Sequence, residues 1–304
     1  MSLGRHRVKV LSENPFGGSL FSSEETEGRF FFQSLGSGSS GNCSLLIYEG
    51  EALIIDAGLG IRTFLRRAET LLKSDLKPMG ILITHDHGDH IKGAARLAHR
   101  LNVPIYATAQ VCETLRYWSR DSKYDITAYL KVLVPEESFR VGHFEVTAFD
   151  VPHDATRNVG FSIKGAPGTF TLITDVGQVT DRVRQAIRES DYLIFESNYD
   201  EQMLLEGRYT FQLKERIKGG SGHLSNLKAA TTISEEYHDA LSFVGLCHLS
   251  GNNNTPALAM ENLLSVLDSH DIEAMEAEGR EAGGDALQVA TIKRNIVSPL
   301  FRFG

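Results

Sequence analysis

The sequence is short of several things. Cysteine is scarce: Cys43, Cys112 and Cys247 are the full set in 304 residues. Three scattered thiols build neither a disulfide framework nor a Cys-rich zinc site, which points to a reducing compartment and an expected cytoplasmic location. No run of about 18 apolar residues occurs, so no membrane-spanning helix is expected. The polar N-terminus lacks the apolar segment of a secretory signal. Positive charge is in deficit, with 31 Lys and Arg against 39 Asp and Glu and a net charge of −8. That balance excludes bulk cationic binding to nucleic acid but leaves room for a local basic site.

What remains is a globular composition, 41% hydrophobic and 23% charged, long enough for one large domain or two ordinary ones. Residues 1–28 stand apart. From residue 12 to 28 the chain is rich in Ser, Glu and Gly with no sustained period, which predicts a flexible extension. Residues 29–304 are expected to form one domain. Strands are predicted at 30–35, 43–48, 52–55, 80–84, 103–107, 144–149, 161–163, 170–174, 192–196, 242–249 and 288–292. Helices are predicted at 62–72, 91–101, 181–189, 226–237 and 256–267, and residues 273–285 are expected as a loop. Each half runs from strands into alternating strand and helix, the pattern of two face-to-face sheets with helices outside.

Histidine is abundant, with eleven residues, and its placement carries most of the information. Thr84-His85-Asp86-His87-Gly88-Asp89-His90 follows an apolar strand and precedes a helix. Imidazole and carboxylate are the ligand set for zinc, manganese or iron, and a packed turn has no use for so many titratable groups. His85 and His87 lie two apart and project to one side of an extended segment. Asp56, His153, Asp175 and His248 each sit where a predicted strand ends, the usual address of a site on a layered fold. Two ions sharing one group need about four to five ligands each. His85, His87 and His153 are assigned to the first ion and Asp89, His90 and His248 to the second. Asp175 is the bridge, because a carboxylate offers two oxygens and a negative charge between cations. Asp56 is placed one shell out, accepting a hydrogen bond from a ligand histidine.

At these residues the sequence resembles the metallo-β-lactamase superfamily. The resemblance implies an αββα four-layer sandwich with a two-metal site along one sheet edge. Ser34-Leu35-Gly36-Ser37-Gly38-Ser39-Ser40-Gly41-Asn42-Cys43 is similar to the opening of the YycJ/WalJ family. So are Glu196-Ser197-Asn198-Tyr199-Asp200, Gly222-His223-Leu224-Ser225-Asn226, and Cys247-His248-Leu249-Ser250 with Asn252 to Asn254. The similarity spans residue 30 to about residue 268. It implies a metal-dependent hydrolase acting as a 5′-to-3′ exonuclease on double-stranded DNA, with zinc or manganese as the expected ions and iron or magnesium as the alternatives. The more distant ribonuclease Z family is similar at Glu196 and His223, which implies a pair that protonates the leaving oxygen. No long exosite arm of a transfer-RNA processing enzyme is present.

The expected mechanism uses a hydroxide shared by the two ions as nucleophile, because metals lower the pKa of bound water. Asp89, His223 and Glu196 are the catalytic candidates, with His223 as the acid held by Glu196. Asp86 is expected near metal-bound solvent and not as a ligand. Ser37, Ser39, Ser40 and Asn42 form a turn able to bind phosphate. Lys214 and Arg216, with Lys218, are candidate DNA contacts, and Tyr199, Tyr209 and Phe211 are either core or base-stacking aromatics. Two other classes stay open: a small-substrate metallohydrolase cleaving a cyclic phosphodiester, thioester or lactam, and a non-hydrolytic metal-sensing module. Oligomeric state is not set by these features.

Overall fold

Side chains of a strand alternate between faces, and here the alternation divides the core. Along Phe30–Gly36 (β2), Phe30 and Phe32 enter one cluster while Phe31 and Leu35 enter another. Cys43–Tyr48 (β3) repeats this: Leu46 and Tyr48 face the first cluster, Leu45 and Ile47 the second. A strand buried on both faces belongs to a sheet covered on both sides. The computed structural model describes residues 8–11, 26–120, 124–277 and 286–304.

Two eight-stranded sheets carry this pattern. The first is ordered β1 (Val8–Leu11), β16 (Leu300–Phe303), β2, β3, β4 (Glu51–Ile55), β5 (Lys77–Leu82), β6 (Ile105–Ala107), β7 (Leu130–Val132). The second is ordered β14 (Ala274–Glu276), β15 (Leu287–Thr291), β13 (Phe243–Cys247), β12 (Tyr192–Glu196), β11 (Gly168–Ile173), β10 (Val159–Gly165), β9 (Phe144–Asp150), β8 (Ser138–Val141). Between them lies an aromatic-rich layer that includes Phe32, Phe170, Tyr192, Phe243, Phe301 and Phe303. Helices Ile61–Arg67, Ala94–Leu101 and Ala109–Ser119 cover the outer face of the first sheet. Helices Asp181–Arg188, Asn226–Glu235 and Pro256–Ser269 cover the second. The result is the expected four-layer αββα sandwich.

The chain ends by returning to the first sheet. β16 pairs antiparallel with both β1 and β2, and Phe303 stacks on Tyr192 of the opposite sheet, with centroids 4.5 Å apart and planes 10° apart. The last strand thereby ties the two sheets together.

Several expectations need correction. Val8–Leu11 is a strand, so the N-terminal extension is not uniformly irregular, while residues 12–25 lie outside the described residues. The stretch expected as one helix over 62–72 breaks at Ala68 into Ile61–Arg67 and Glu69–Leu72. The helix expected over 91–101 is likewise interrupted, into Gly88–Ile91 and Ala94–Leu101. Ala274–Glu276 is a strand where a loop was expected, and residues 278–285 lie outside the described residues. Helices Ala109–Ser119, Glu201–Glu206 and Phe211–Lys218 were not anticipated. No described helix is long and apolar enough to cross a membrane.

Candidate metal centre

Strand ends build the site, and they do so through an uncommon backbone conformation. Asp56 follows β4, Asp175 follows β11 and His248 follows β13; all three have positive φ, 60°, 57° and 54°. Left-handed backbone is unfavourable for residues with a Cβ. Non-glycine residues held there cluster at functional sites, where surrounding structure fixes them. The turn reverses each side chain toward one end of the sandwich. There it meets the loop between β5 and the helix Gly88–Ile91, which carries His85, His87, Asp89 and His90.

The imidazoles are collected tightly. The His85 ring lies 4.7 Å from His87, 4.0 Å from His90 and 5.2 Å from His153, and His90 lies 6.0 Å from His248. Three of them, His90, His153 and His248, are tied to the scaffold through Nδ1. His90 Nδ1 donates to Asp56 Oδ2 at 2.7 Å, His153 Nδ1 to the Gly222 carbonyl at 3.0 Å and His248 Nδ1 to Glu196 Oε1 at 3.0 Å. Each acceptor offers only lone pairs, so Nδ1 carries a proton and Nε2 is the nitrogen that could serve a metal. Asp56 is itself held by the Thr84 backbone N–H at 2.9 Å. It is the partner expected of it.

The donors fit a divalent metal. His85 Nε2 and His248 Nε2 are buried and have no hydrogen-bond partner. A buried orphan nitrogen is costly unless something else satisfies it. Four overlapping groups place their ligand atoms within 4.8 Å of one another: His85, His87 and His153; His85, His90 and Asp175; Asp89, His90 and His248; and Asp175, Glu196, His223 and His248. The first and third are the two triads read from the sequence. Asp175 stands between them, with Oδ2 3.3 Å from His90 Nε2 and Oδ1 3.6 Å from both His153 Nε2 and His248 Nδ1.

The charge balance also suits a cation. Burial would raise the Asp175 carboxyl, but His248 and His90 hold it well below the usual carboxylate range. Burial works to lower His248, yet Asp175, Asp89 and Glu196 push it up to about 10. His90 is also raised, against burial, by Asp56 and Asp175. His85 and His153 are lowered, chiefly by burial, and remain neutral donors. Without metal, protons on His90 and His248 neutralise the carboxylates that a metal would neutralise instead.

His223 and Glu196 complete the floor. Glu196 is fully buried at the end of β12 and is fixed through Oε2 by the backbone N–H of Val176 at 2.7 Å and of Leu224 at 3.3 Å. Its Oε1 accepts from His223 Nδ1 at 2.7 Å. Burial would lower the His223 imidazole, but the Glu196 carboxylate raises it. The His223 ring is 5.1 Å from His153 and 5.3 Å from His248. His223 lines a cleft of about 250 Å³ together with His87, Asp89, His153, Asp175 and His248.

Other expected contacts are redistributed. Ser37 and Asn42 turn inward: Ser37 Oγ accepts from the His248 backbone N–H at 2.9 Å, and the Asn42 amide reaches Asp89 Oδ2 at 3.3 Å and His90 Nε2 at 2.8 Å. They brace the site and have little surface to offer a substrate. Ser39 does line the cleft, while Ser40 lies beside it, its Oγ bonded to Asn295. Arg216 lines the cleft but is bound to Asp154 Oδ2 at 2.5 and 2.6 Å. Lys214 donates to the Leu205 carbonyl at 2.6 Å and Lys218 pairs with Glu215 at 2.7 Å. Asp86 accepts from Thr114 Oγ1 at 2.9 Å and from Thr156, so it ties the metal loop to its neighbours. Tyr199 is buried, Tyr209 lines the cleft and Phe211 is exposed. Trp118, the single tryptophan, lies over the metal loop: a Cβ on Gly88 would be 3.9 Å from its ring.

This fold and this edge define a class. Residues 52–240 match the beta-lactamase superfamily domain, and the chain belongs to that superfamily as a hydrolase. Within it, the chain is 32% identical over 249 residues to exodeoxyribonuclease YycJ of Bacillus anthracis, covering 81% of this chain and 92% of that one. It is 30% identical over 246 residues to exodeoxyribonuclease WalJ of Streptococcus pneumoniae, covering 80% and 90%. It is a member of their family. Among solved structures it is similar to the metallo-beta-lactamase fold protein YhfI of Bacillus subtilis, with a TM-score of 0.63 and 16% identity, covering 91% of this chain and 100% of that one.

Proposed function

We propose that the protein is a metal-dependent deoxyribonuclease that removes nucleotides from the 5′ ends of duplex DNA and works with two divalent ions, manganese or zinc. The observation that carries this is the His223–Glu196 pair, 2.7 Å apart, whose imidazole opens onto the same cleft as His87, Asp89, His153, Asp175 and His248. A thioester expels a thiolate with modest demand for a proton, whereas a sugar alkoxide needs one delivered as the bond breaks. The family of exodeoxyribonucleases to which the chain belongs supports DNA as the polymer.

His85, His87 and His153 would hold one ion, Asp89, His90 and His248 the other, with Asp175 shared. Bound there, the ions supply Lewis acidity toward a phosphate oxygen and lower the pKa of water. The protein's own residues do the rest. Asp56, Gly222 and Glu196 fix the ligand imidazoles by their Nδ1 protons. Glu196 holds His223 so that Nε2 faces the cleft, and its charge keeps the imidazole protonated to a higher pH than usual. His223 then delivers the Nε2 proton to the departing 3′ oxygen, and Glu196 stabilises the positive charge until that moment. The same carboxylate orients both a ligand, His248, and the acid, His223, so the donor set and the proton source are held in one register.

Metal-reconstituted protein assayed beside one another on linear duplex DNA, RNA, a cyclic phosphodiester, a thioester and a lactam tests the assignment. Turnover of DNA at rates far above the small substrates is expected. Turnover confined to a small substrate would move the protein to the small-substrate metallohydrolases, and two bound ions with no turnover at all would favour a sensor.

A further inference from the structure

On the helix that carries Lys214, Arg216 and Lys218 two of the three cations are paired, Arg216 with Asp154 and Lys218 with Glu215, and only Lys214, bonded to the Leu205 carbonyl, has no carboxylate partner among the described residues. The opposite wall is different. Three cations, Arg67, Lys92 and Arg294, converge on the segment 35–42, and none pairs with a carboxylate among the described residues. Arg67 Nη1 donates to the Leu35 carbonyl at 2.7 Å and Lys92 Nζ to the Ser40 carbonyl at 2.7 Å. Arg294 is anchored by its main chain, its carbonyl accepting from the Ser37 N–H at 3.2 Å. Its side chain then runs between two glycines. A Cβ at Gly38 would lie 3.1 Å from Arg294 Cγ and Nε, and one at Gly251 would run into Nη1. The neighbours of those glycines, Ser39 and Ser250, line the catalytic cleft.

Arg294 Nε is buried without a hydrogen-bond partner. A guanidinium confined between two glycine backbones, each followed or preceded by a cleft-lining serine, and with an unspent donor, is suited to a tetrahedral anion. The whole chain carries a charge of −8, so a cation with no carboxylate partner among the described residues, packed on glycines whose neighbours Ser39 and Ser250 line the cleft, stands out against its surroundings.

We propose that Arg294, with Ser39 and Ser250, forms a subsite for a phosphate of the substrate strand other than the one cleaved. The proposal rests on the nuclease reading above. The phosphate is either the monoester at the strand end or the next diester along; the chemistry is shared, and substrate choice separates the two.

The experiment uses full-length wild type, Arg294→Gln and Arg294→Lys. Binding of 5′-phosphorylated and 5′-hydroxyl duplexes to metal-stripped protein is measured as a function of salt, and turnover by the reconstituted protein is measured on both duplexes and on bis(4-nitrophenyl) phosphate, which has no neighbouring phosphate. Metal content of each variant reports an intact centre. A subsite predicts that Arg294→Gln binds DNA at least about tenfold more weakly, with the salt slope reduced by about one. It also predicts a DNA to small-diester ratio of kcat/KM at least about tenfold lower, with Arg294→Lys between the two. A loss confined to the 5′-phosphorylated duplex identifies the terminal monoester, and an equal loss on both duplexes identifies the internal diester. Unchanged binding, or equal loss on DNA and the small diester, overturns the proposal while the nuclease reading stands. Wild type that neither binds nor cleaves DNA overturns both.

Discussion

Glu196 Oε1 accepts from two imidazoles, His223 Nδ1 at 2.7 Å and His248 Nδ1 at 3.0 Å. In the proposed mechanism the pairing with Glu196 makes His223 the source of the proton for the leaving group. Replacing His223 with Ala should lower kcat on DNA by about 10²–10⁴, the usual range for a general acid, while two-metal loading is retained. With a 4-nitrophenolate leaving group, which departs without a proton, the loss should shrink to a few-fold. Equal losses on both substrates would show His223 to be a structural residue.

Asp56 touches the donor set directly at His90, by the 2.7 Å contact to Nδ1, and reaches His85 only at one remove, through Thr84 Oγ1. Asp56→Asn keeps the shape but removes the charge that fixes the imidazole. Partners of this kind contribute about 10–100-fold to metal affinity. A chelator competition titration should find one ion weakened by that much and the other, held by His85, His87 and His153, little changed.

Metal binding should release protons. In metal-free protein His248 is pushed up to about 10 and His90 is raised as well. A raised folded pKa means stability fully present below the unfolded value and lost as pH rises through the folded one. The metal-free fold therefore loses this contribution between about pH 6.5 and about pH 10. A cation must displace the same protons, so apparent affinity should rise with pH across that window. Calorimetry in two buffers of different ionisation enthalpy would count the protons, and fluorescence of Trp118, which lies over the metal loop, offers a second readout. Affinity independent of pH would contradict the charge balance described.

The last strand should be indispensable. Phe303 is fully buried and stacks on Tyr192 across the sandwich, and Phe301 packs against Phe243 with ring centroids 4.9 Å apart. Phe303→Ala removes a large buried ring at a cost of about 3–5 kcal/mol, measurable by urea unfolding of the metal-loaded protein. A change under about 1 kcal/mol would mean that β16 is not part of the cooperative core.

The candidate metal donors were readable in the sequence because residue type carries their chemistry. A dense His and Asp loop after an apolar strand, with His153, Asp175 and His248 at later strand ends, leaves few other uses for those groups. The two ligand triads and the Asp56 contact follow the same logic in space. The substrate contacts were less readable, because charge in a sequence does not say what neutralises it. Arg216 is neutralised by Asp154, 62 residues away in the chain, which the fold brings to it. Arg294 drew no notice in a segment without pattern, and its slot exists only where Gly38 and Gly251 meet, some 200 residues apart in the chain. Likewise Ser37 and Asn42 looked like turn residues available to a ligand, yet a distant strand end and the metal loop claim their hydrogen bonds. β1 and β16 were missed because each is a four-residue strand whose identity depends on long-range pairing, β1 with β16 and β16 with β2.

The central claim is that this edge of the sandwich cleaves DNA from the 5′ end with divalent metal. The most direct test is a time course of metal-stripped protein given manganese and linear duplex DNA labelled at the 5′ or the 3′ end, run beside Asp175→Ala. The account predicts immediate release of the 5′ label as mononucleotide, late release of the 3′ label, and no release from the variant. Early release of the 3′ label, internal cuts, or full activity in Asp175→Ala would contradict it.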